Sequence, residues 1–411
     1  LGGCAPGGDA AGGSAAREAT TADEVARLAA LPWDSVRARA RGRTVVWRMW
    51  RGDPSVNAFV DRWVAPRLRE RHGIELRAVE GQGPEIVNQL VVEREAAGGA
   101  FGRTRGTASL VWINGETFAN LRRERLLAGP WAGRLPNAAY VDSASPIVAR
   151  DFEQDPAGHE SPWGRVQFAL IHDTVRTPDP PRTVAALGAW IRAHPGRFTH
   201  DQGFTGVTFL KALLYAEGGG QARFAGGFDE ARYREGSARV WAWLDAARPH
   251  FWRAGRTYPP DVAAMHRLFA NGEIDFTMSN NDNEVVTKVR QGVLPPTSRA
   301  LVLRDGTIAN AHYLGIPANA PEPAAAMVVA DFLLSPEAQY EKRRPEVWAD
   351  GTVLAVDRLP AEWAARFRAL EQDPRQVPRD TLARYARPEV APAYHERLAA
   401  DWRARVRASG R

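Results

Sequence analysis

Between residues 44 and 127 the spacing of apolar positions alternates between two periods. Residues 44–50 (Thr-Val-Val-Trp-Arg-Met-Trp) form a short β-branched and aromatic run, the pattern of a strand. Residues 57–72 then place Phe59, Val60, Trp63, Val64 and Leu68 on one helical side, and Gly73 stops that helix. The same pair recurs twice, as a strand at 74–79 with a helix at 85–97 and a strand at 109–113 with a helix at 116–127. Consecutive β-α units predict a parallel sheet with right-handed crossovers. The loops after Trp50, Val79 and Ile113 should therefore share one sheet edge. The stretch 109–118 is the centre of this plan: strand, then Asn114-Gly115, then helix. A helix starting there turns its free N–H groups toward the strand's carboxyl end, where open α/β sheets seat ligands. Asn114 as a simple helix cap is the structural alternative.

Two helices, at 22–30 and 33–41, precede this unit, and residues 1–20 read as a flexible tether. Beyond it, 130–151 and 153–163 are irregular, and 166–173 is an apolar strand. Helices are predicted at 183–193, after Phe204, within 230–252 and at 260–270. A strand at 274–279 follows, and the polar loop Asn280-Asn281-Asp282-Asn283 opens a helix at 284–290. A strand at 312–316 leads to helices at 322–334 and 336–343 and a helical C-terminal part.

Composition removes several classes. No apolar run approaches the ~20 residues that a membrane-crossing helix needs. The formal charge is +6 and the isoelectric point about 9.7. Almost all of the positive charge is arginine interleaved with acids, however, and only Lys211, Lys288 and Lys342 are lysines. Such a surface gives no nucleic-acid footprint. The one cysteine, Cys4, excludes an internal disulfide and any cysteine metal cluster. Leu1-Gly2-Gly3-Cys4 matches the end of a bacterial lipoprotein signal, and the Gly/Ala/Ser-rich residues after it suit a tether.

Enzyme signatures are missing: there is no Gly-x-Ser-x-Gly elbow, phosphate loop or dinucleotide fingerprint. His159-Glu160 and His395-Glu396 lack a second histidine at zinc spacing. His172-Asp173 and His200-Asp201 are adjacent pairs, and neighbours on a strand point to opposite faces. What stands out is a set of aromatic and amide residues at predicted strand ends: Trp50, Trp112, Trp163 and Phe204 with Asn114, Gln167 and Asn280. That mixture suits a small-molecule cleft. With 14 tryptophans, others such as Trp63, Trp190, Trp241 and Trp243 are assigned to packing.

Several motifs together resemble the YnjB-type extracellular solute-binding proteins of ABC importers. They are Trp47 to Asn57, Leu-Val-Trp-Ile-Asn-Gly-Glu-Thr-Phe from Leu110, and Gly129-Pro130 with Leu135-Pro136-Asn137 and Tyr140-Val141-Asp142. Further ones are Pro162-Trp163-Gly164 with Gln167, Phe204-Thr205-Gly206 with Phe209-Leu210-Lys211, Gln291 to Pro295, and His312 with Ile316 to Ala320. The similarity covers roughly residues 44–355. Where relatives carry Ser-Phe-Asn-Pro, this chain has Ser279-Asn280-Asn281-Asp282.

The resemblance implies an α/β, two-lobed, type 2 periplasmic-binding-protein fold with a hinge and central cleft. Lobe one would hold 40–147 and 308–411, and lobe two 148–307, with hinge crossings near 146–150 and 307–312. It implies an extracytoplasmic receptor that is not an enzyme, needs no cofactor or metal, and works as a monomer lipid-anchored through Cys4. Its partners would be a small solute and the membrane permease subunits of the importer. Trp50, Arg51, Asp53, Trp112, Asn114, Glu116 and Tyr140 would approach the solute from one lobe. Trp163, Gln167, Phe204, Thr205 and Asn280 would approach it from the other. Aromatic rings with Asp53, Glu116 and Asp282 favour a cation, thiamine- or polyamine-like; Arg51 and the helix start after Asn114 favour an anion. Two other classes compete: a secreted hydrolase using His172 or His200, and a surface interaction protein without a small ligand.

Overall fold

The computed structural model describes residues 19–370 and 372–409. Cys4 and most of the expected tether lie outside them. The expected parallel unit forms. Strand β1 (Thr44–Met49) buries Val45, Trp47 and Met49 on one face. It pairs in parallel with β2 (Glu75–Glu80) and with β3 (Leu110–Ile113). Asp53 caps the helix that follows β1 by accepting from the N–H groups of Ser55 and Val56, with Pro54 in the first turn. That helix continues through a widened, π-helical stretch at Phe59–Val64 to His72, where Gly73 takes the left-handed conformation (φ 65°) that ends it.

The first sheet runs β2-β1-β3-β8-β4, in which β4 is Glu160–Gln167 and β8 is Thr307–Gly315. Both β3 and β4 pair antiparallel with β8. Two short strands, β5 (Ala169–Asp173) and β6 (Phe276–Ser279), join β7 (Ser298–Leu301) in a second, antiparallel sheet ordered β6-β5-β7. The run expected as one strand at 166–173 is thus two strands in two sheets. Phe168 marks the change, its N–H donating to the Ile308 carbonyl at 2.8 Å.

Two hydrophobic cores match the two sheets. The first gathers Val25, Trp47, Phe59, Trp163 and Tyr313 with the helix Pro323–Leu334, whose residues are buried on every side. The second gathers Phe168, Phe209, Trp241, Phe276 and Ile308. Three corrections to the expected lobe boundaries follow. The first crossing falls at Gln167–Ala169 rather than near 146–150, because β4 keeps its backbone bonds to β8 to that point. A third crossing exists, since Phe367 belongs to the first core whereas the N–H of Ala300 in β7 bonds the Arg375 carbonyl. The C-terminal helix Pro392–Ser409 sides with the second lobe, burying Tyr394, Leu398 and Trp402 in its core. A short strand β9 (Ala386–Arg387), parallel to the start of β8, guides it there.

Leu398 is fully buried in that second core. Leu398→Ala should lower stability by about 2–5 kcal/mol, read by urea unfolding. A loss within 0.5 kcal/mol would mean that the helix is not part of this core.

Candidate functional site

The segments that follow the carboxyl ends of β1 and β6 meet at the junction between the two cores. Direct hydrogen bonds span it. Lys288, on the helix Glu284–Arg290 after β6, reaches Asp53 at 2.5 Å, and Gln291 reaches the Ser55 hydroxyl at 2.5 Å. Asn120 of the first lobe lies 3.5 Å from Glu396 on the C-terminal helix. Asp53 therefore does two jobs through two oxygens: Oδ1 caps its helix, and Oδ2 holds a lysine of the opposite lobe.

Asn114 and Gly115 behave as a turn with a purpose. Asn114 stays extended and makes no side-chain cap bond, and Gly115 has φ +28°. A Cβ on Gly115 would run into the ring of Phe152, which packs over the helix start. Phe152 and Glu153 hold left-handed backbone angles (φ 47° and 65°) to bring it there. The same ring faces Lys211 of the second lobe, 4.6 Å from Nζ to centroid, and Lys211 also lies 5.4 Å from the Phe204 ring. Lys211 is fully buried and paired at 2.7 Å with both oxygens of Glu389.

Beside this pair, Glu116 is half-buried, and its Oε2 has no hydrogen-bond partner. Burial pushes the carboxyl up to about 7 against the pull of Lys211. Asp151 and Glu160 are buried with both oxygens unpartnered, and burial raises each well above the ordinary carboxylate range. After β6, Asp282 is likewise buried with Oδ2 unpartnered and is pushed up to about 6.

A second group forms around Trp112. Its ring lies 4.7 Å from Trp163 at 83°, 4.8 Å from His312 and 6.1 Å from Trp348. His312 leans on Asp350 (3.2 Å), which also holds Lys342 (2.7 Å). Gly164 leaves the room for His312 and Asp350 that a side chain there would take.

A two-lobed α/β body with strand ends from both lobes meeting at one junction narrows the choice of family, and the sequence decides it. The family model for bacterial extracellular solute-binding proteins matches residues 63–364. The chain belongs to that family. It is 38% identical to Protein YnjB of Escherichia coli (strain K12) over 331 residues, 80% of this chain and 84% of that one. Among solved structures, the spermidine/putrescine ABC transporter substrate-binding protein PotD of Streptococcus pneumoniae superposes with TM-score 0.61 at 13% identity, covering 89% of this chain and 99% of that one. Iron-bound HitA of Pseudomonas aeruginosa gives 0.59 at 16% identity over 90% and 99%. AfuA of Actinobacillus pleuropneumoniae, bound to fructose-6-phosphate, gives 0.59 at 13% identity over 89% and 99%. These neighbours are type 2 periplasmic binding proteins and establish that fold for the chain, whose topology agrees with it. The three named ligands share no chemistry, so the fold leaves the solute open. No helix among the described residues is long and apolar enough to cross a membrane.

In this solute-binding protein the residues picked from sequence separate into three groups. Asp53 bonds Lys288 across the junction and Glu116 feels the charge of Lys211; Asn114 opens the helix after β3, and Phe204, Thr205 and Asn280 make their contacts within the second lobe, with Asn280 donating to the Thr205 hydroxyl at 3.0 Å. Trp50 stands at the end of β1, 37% exposed, and Trp112 is half-buried over Trp163. The others have structural work. Arg51 is tied to Asp61 (2.5 Å) and by its N–H to Glu80. Tyr140 packs on the first core. Trp163 is fully buried there, so it supports Trp112 from beneath and belongs to the first lobe rather than the second. Gln167 is buried at the crossing, donating to the Thr307 hydroxyl (2.9 Å) and the Leu382 carbonyl (3.1 Å). Sequence reasoning missed Lys288 and Gln291, which bridge the lobes, and Asp151, which joins Glu116. Each acts across more than thirty residues of chain, a relation that no local spacing encodes.

His172 and His200 do not form a catalytic pair with their neighbours. His172 is buried with Nδ1 2.9 Å from the Thr177 carbonyl, while Asp173 binds Arg176. His200 is caged by Phe209, Phe251, Tyr258 and Trp402, and burial lowers it to about 4.

Glu116 gives a pH test. An unfolded glutamate titrates near 4.5 and the folded one near 7, so the folded state keeps a proton that the unfolded state loses between those values. The stability linked to this proton is complete below about pH 4.5 and falls as the pH rises toward 7. Glu116→Gln removes the titration. Its stability relative to the parent should rise by roughly 1–3 kcal/mol between pH 4.5 and 8, measured by chemical denaturation at each pH. A pH-independent difference would count against the buried, unpartnered carboxyl.

Proposed function

We propose that this receptor captures a small, donor-rich or cationic solute between its lobes and hands it to the permease of an ABC importer. Delivery of small ligands to permease subunits is the work of its family. The observation carrying the reading is that the two lobes meet through polar side chains of which some are satisfied across the junction and others are not. Asp53 has Lys288, whereas Glu116 Oε2 and Asp282 Oδ2 have no partner. Buried carboxylates without donors cost free energy that an ammonium or amidinium group would recover. The half-buried ring of Trp112 supplies a face for such a cation, worth about 0.5–2 kcal/mol, whereas the rings of Phe152 and Phe204 already face Lys211. Spermidine and putrescine are named for the PotD neighbour; at 13% identity that likeness supports the fold alone. Anchoring through a lipid on Cys4 is part of this proposal on the strength of the Leu1–Cys4 pattern.

Closure follows from differential contact: a solute touching both lobes favours the form in which they meet. Polyamines, thiamine and cationic amino acids, each at about 100 times its dissociation constant, should stabilise the fold by ~2.7 kcal/mol. The thermal-shift response should fall by about tenfold or more in Asp282→Asn. Stabilisation only by solutes lacking any cationic or donor-rich group would sink the charge assignment. A panel that shifts nothing, with unchanged small-angle scattering, would sink solute capture itself.

A further inference from the structure

A larger hollow lies within the second lobe. The helices Glu230–Ala247 and Pro392–Ser409 are joined where the Tyr233 hydroxyl donates to Asp401 at 2.6 Å and where Arg397 lies 3.6 Å from Glu230. Further along both helices a recess of about 270 Å³ opens between them. Trp241, Leu244 and Asp245 line it from the first helix at positions i, i+3 and i+4, and Trp402, Arg405 and Val406 repeat that spacing on the second. Arg248, one residue past the first helix, and Tyr258 complete the lining. An apolar cavity of ~150 Å³ already accepts benzene, so this recess has room for a larger ring.

Its aromatic wall keeps polar atoms in reserve. Trp241, Tyr258 and Trp402 are only 7%, 8% and 5% exposed. Among the described residues, the Tyr258 hydroxyl and the two indole N–H groups have no hydrogen-bond partner, yet none of the three atoms is sealed from solvent. The buried residues Tyr215, Tyr233 and Tyr313, by contrast, each donate their hydroxyl to a protein oxygen. Burial pushes the Tyr258 hydroxyl up to about 12, so it is a proton donor at neutral pH. Tyr258 and Trp402 meet edge to face, 5.4 Å apart at 79°, and the fully buried His200 packs on both at 5.0 and 5.2 Å. The two rings form a corner in which a planar guest can stack on one face and meet the edge of the other, the arrangements aromatic groups prefer. Charge completes the picture. Arg405 lies 3.6 Å from Asp245 and over the Trp241 ring at 4.9 Å. Arg248 is left over: among the described residues its guanidinium makes no hydrogen bond and has no carboxylate within 4.0 Å. The lining therefore sets one unanswered positive charge beside an aromatic wall, and a guanidinium's planar fork suits a carboxylate.

We infer that this recess is an accessory binding site for a small planar aromatic molecule carrying one carboxylate. The ring lies in the corner of Tyr258 and Trp402, and the acid takes the fork of Arg248. The free hydroxyl and indole N–H groups supply donors to the guest, and apolar walls with a few placed polar groups are the usual make-up of a small-molecule site. Asp53, Ser55, Lys288 and Gln291, which join the lobes, do not line it. The site is thus separate from the junction, and the inference does not depend on which solute the receptor captures there.

The test is calorimetric titration of the purified chain with indole-3-acetate, indole and tryptamine. Indole-3-acetate should bind one per chain and about tenfold more tightly than indole, the margin of a charge-assisted bond, and tryptamine should bind no better than indole. Arg248→Gln should bring the acid down to the affinity of indole. Tyr258→Phe should weaken the acid by a smaller factor, since it removes one neutral donor. Val406→Trp, which fills the recess from its half-buried rim, should abolish binding of all three. Melting temperatures near that of wild type show that the variants fold; if Val406→Trp does not, the Arg248→Gln comparison decides alone. No binding of indole-3-acetate to wild type, equal affinity for the acid and the amine, or an acid preference that survives in Arg248→Gln would each overturn the inference. Loss of binding in Asp282→Asn with full binding in Val406→Trp would place the probe in the inter-lobe cleft. Concentration-dependent dimerisation in sedimentation, abolished by Val406→Trp and accompanied by no probe binding, would give the recess to a second copy of the chain. Either of these results also overturns the inference.

Discussion

The antiparallel ladder between β4 and β8 is the constraint on which the rest depends. It runs from Glu160 opposite Gly315 to Gln167 opposite Ala309, and Phe168 extends it to Ile308. Each rung ties the first sheet to strands that then leave for the second, so both lobes hang from one ribbon of backbone bonds. Side-chain bonds fix its far end, Gln167 to Thr307 and to Leu382. Beyond that point the two cores share no sheet, and relative motion of the lobes must be taken up in the three crossings. A shift of register in this ladder would turn Trp163 out of the first core and undo the support beneath Trp112.

Electrostatics then decides how the lobes meet. The chain has 54 basic residues of lysine or arginine type, yet its three lysines are all buried and all paired: Lys211 with Glu389, Lys288 with Asp53, Lys342 with Asp350. A compact ammonium is satisfied by one or two carboxylates in a tight space, whereas arginine's broad fork is used mainly on the surface. Several buried carboxylate oxygens, by contrast, lack partners, among them Glu116 Oε2, Asp282 Oδ2 and both oxygens of Asp151 and Glu160.

The hydrophobic periodicity of residues 44–127 was enough to give the parallel β-α units and the shared edge of their strand-end loops, because each unit forms from contacts near in sequence. The motifs around Trp112-Ile113-Asn114 and Phe204-Thr205 were enough to give the family and, through it, the two-lobed fold. The extent of β4, the destination of the C-terminal helix and the partners of Asp53 were not legible. Glu160–Gln167 contains Pro162 and Gly164, which weaken any local strand signal. The helix Pro392–Ser409 carries apolar positions that would fit either core. Trp163 and Gln167 have the composition of ligand residues, but burial under neighbours remote in sequence gave them supporting roles. By itself, then, the sequence determined what forms locally and which family the chain joins. Only the tertiary structure decided which charges find partners and which remain open, because that depends on distances between groups separated by up to hundreds of residues.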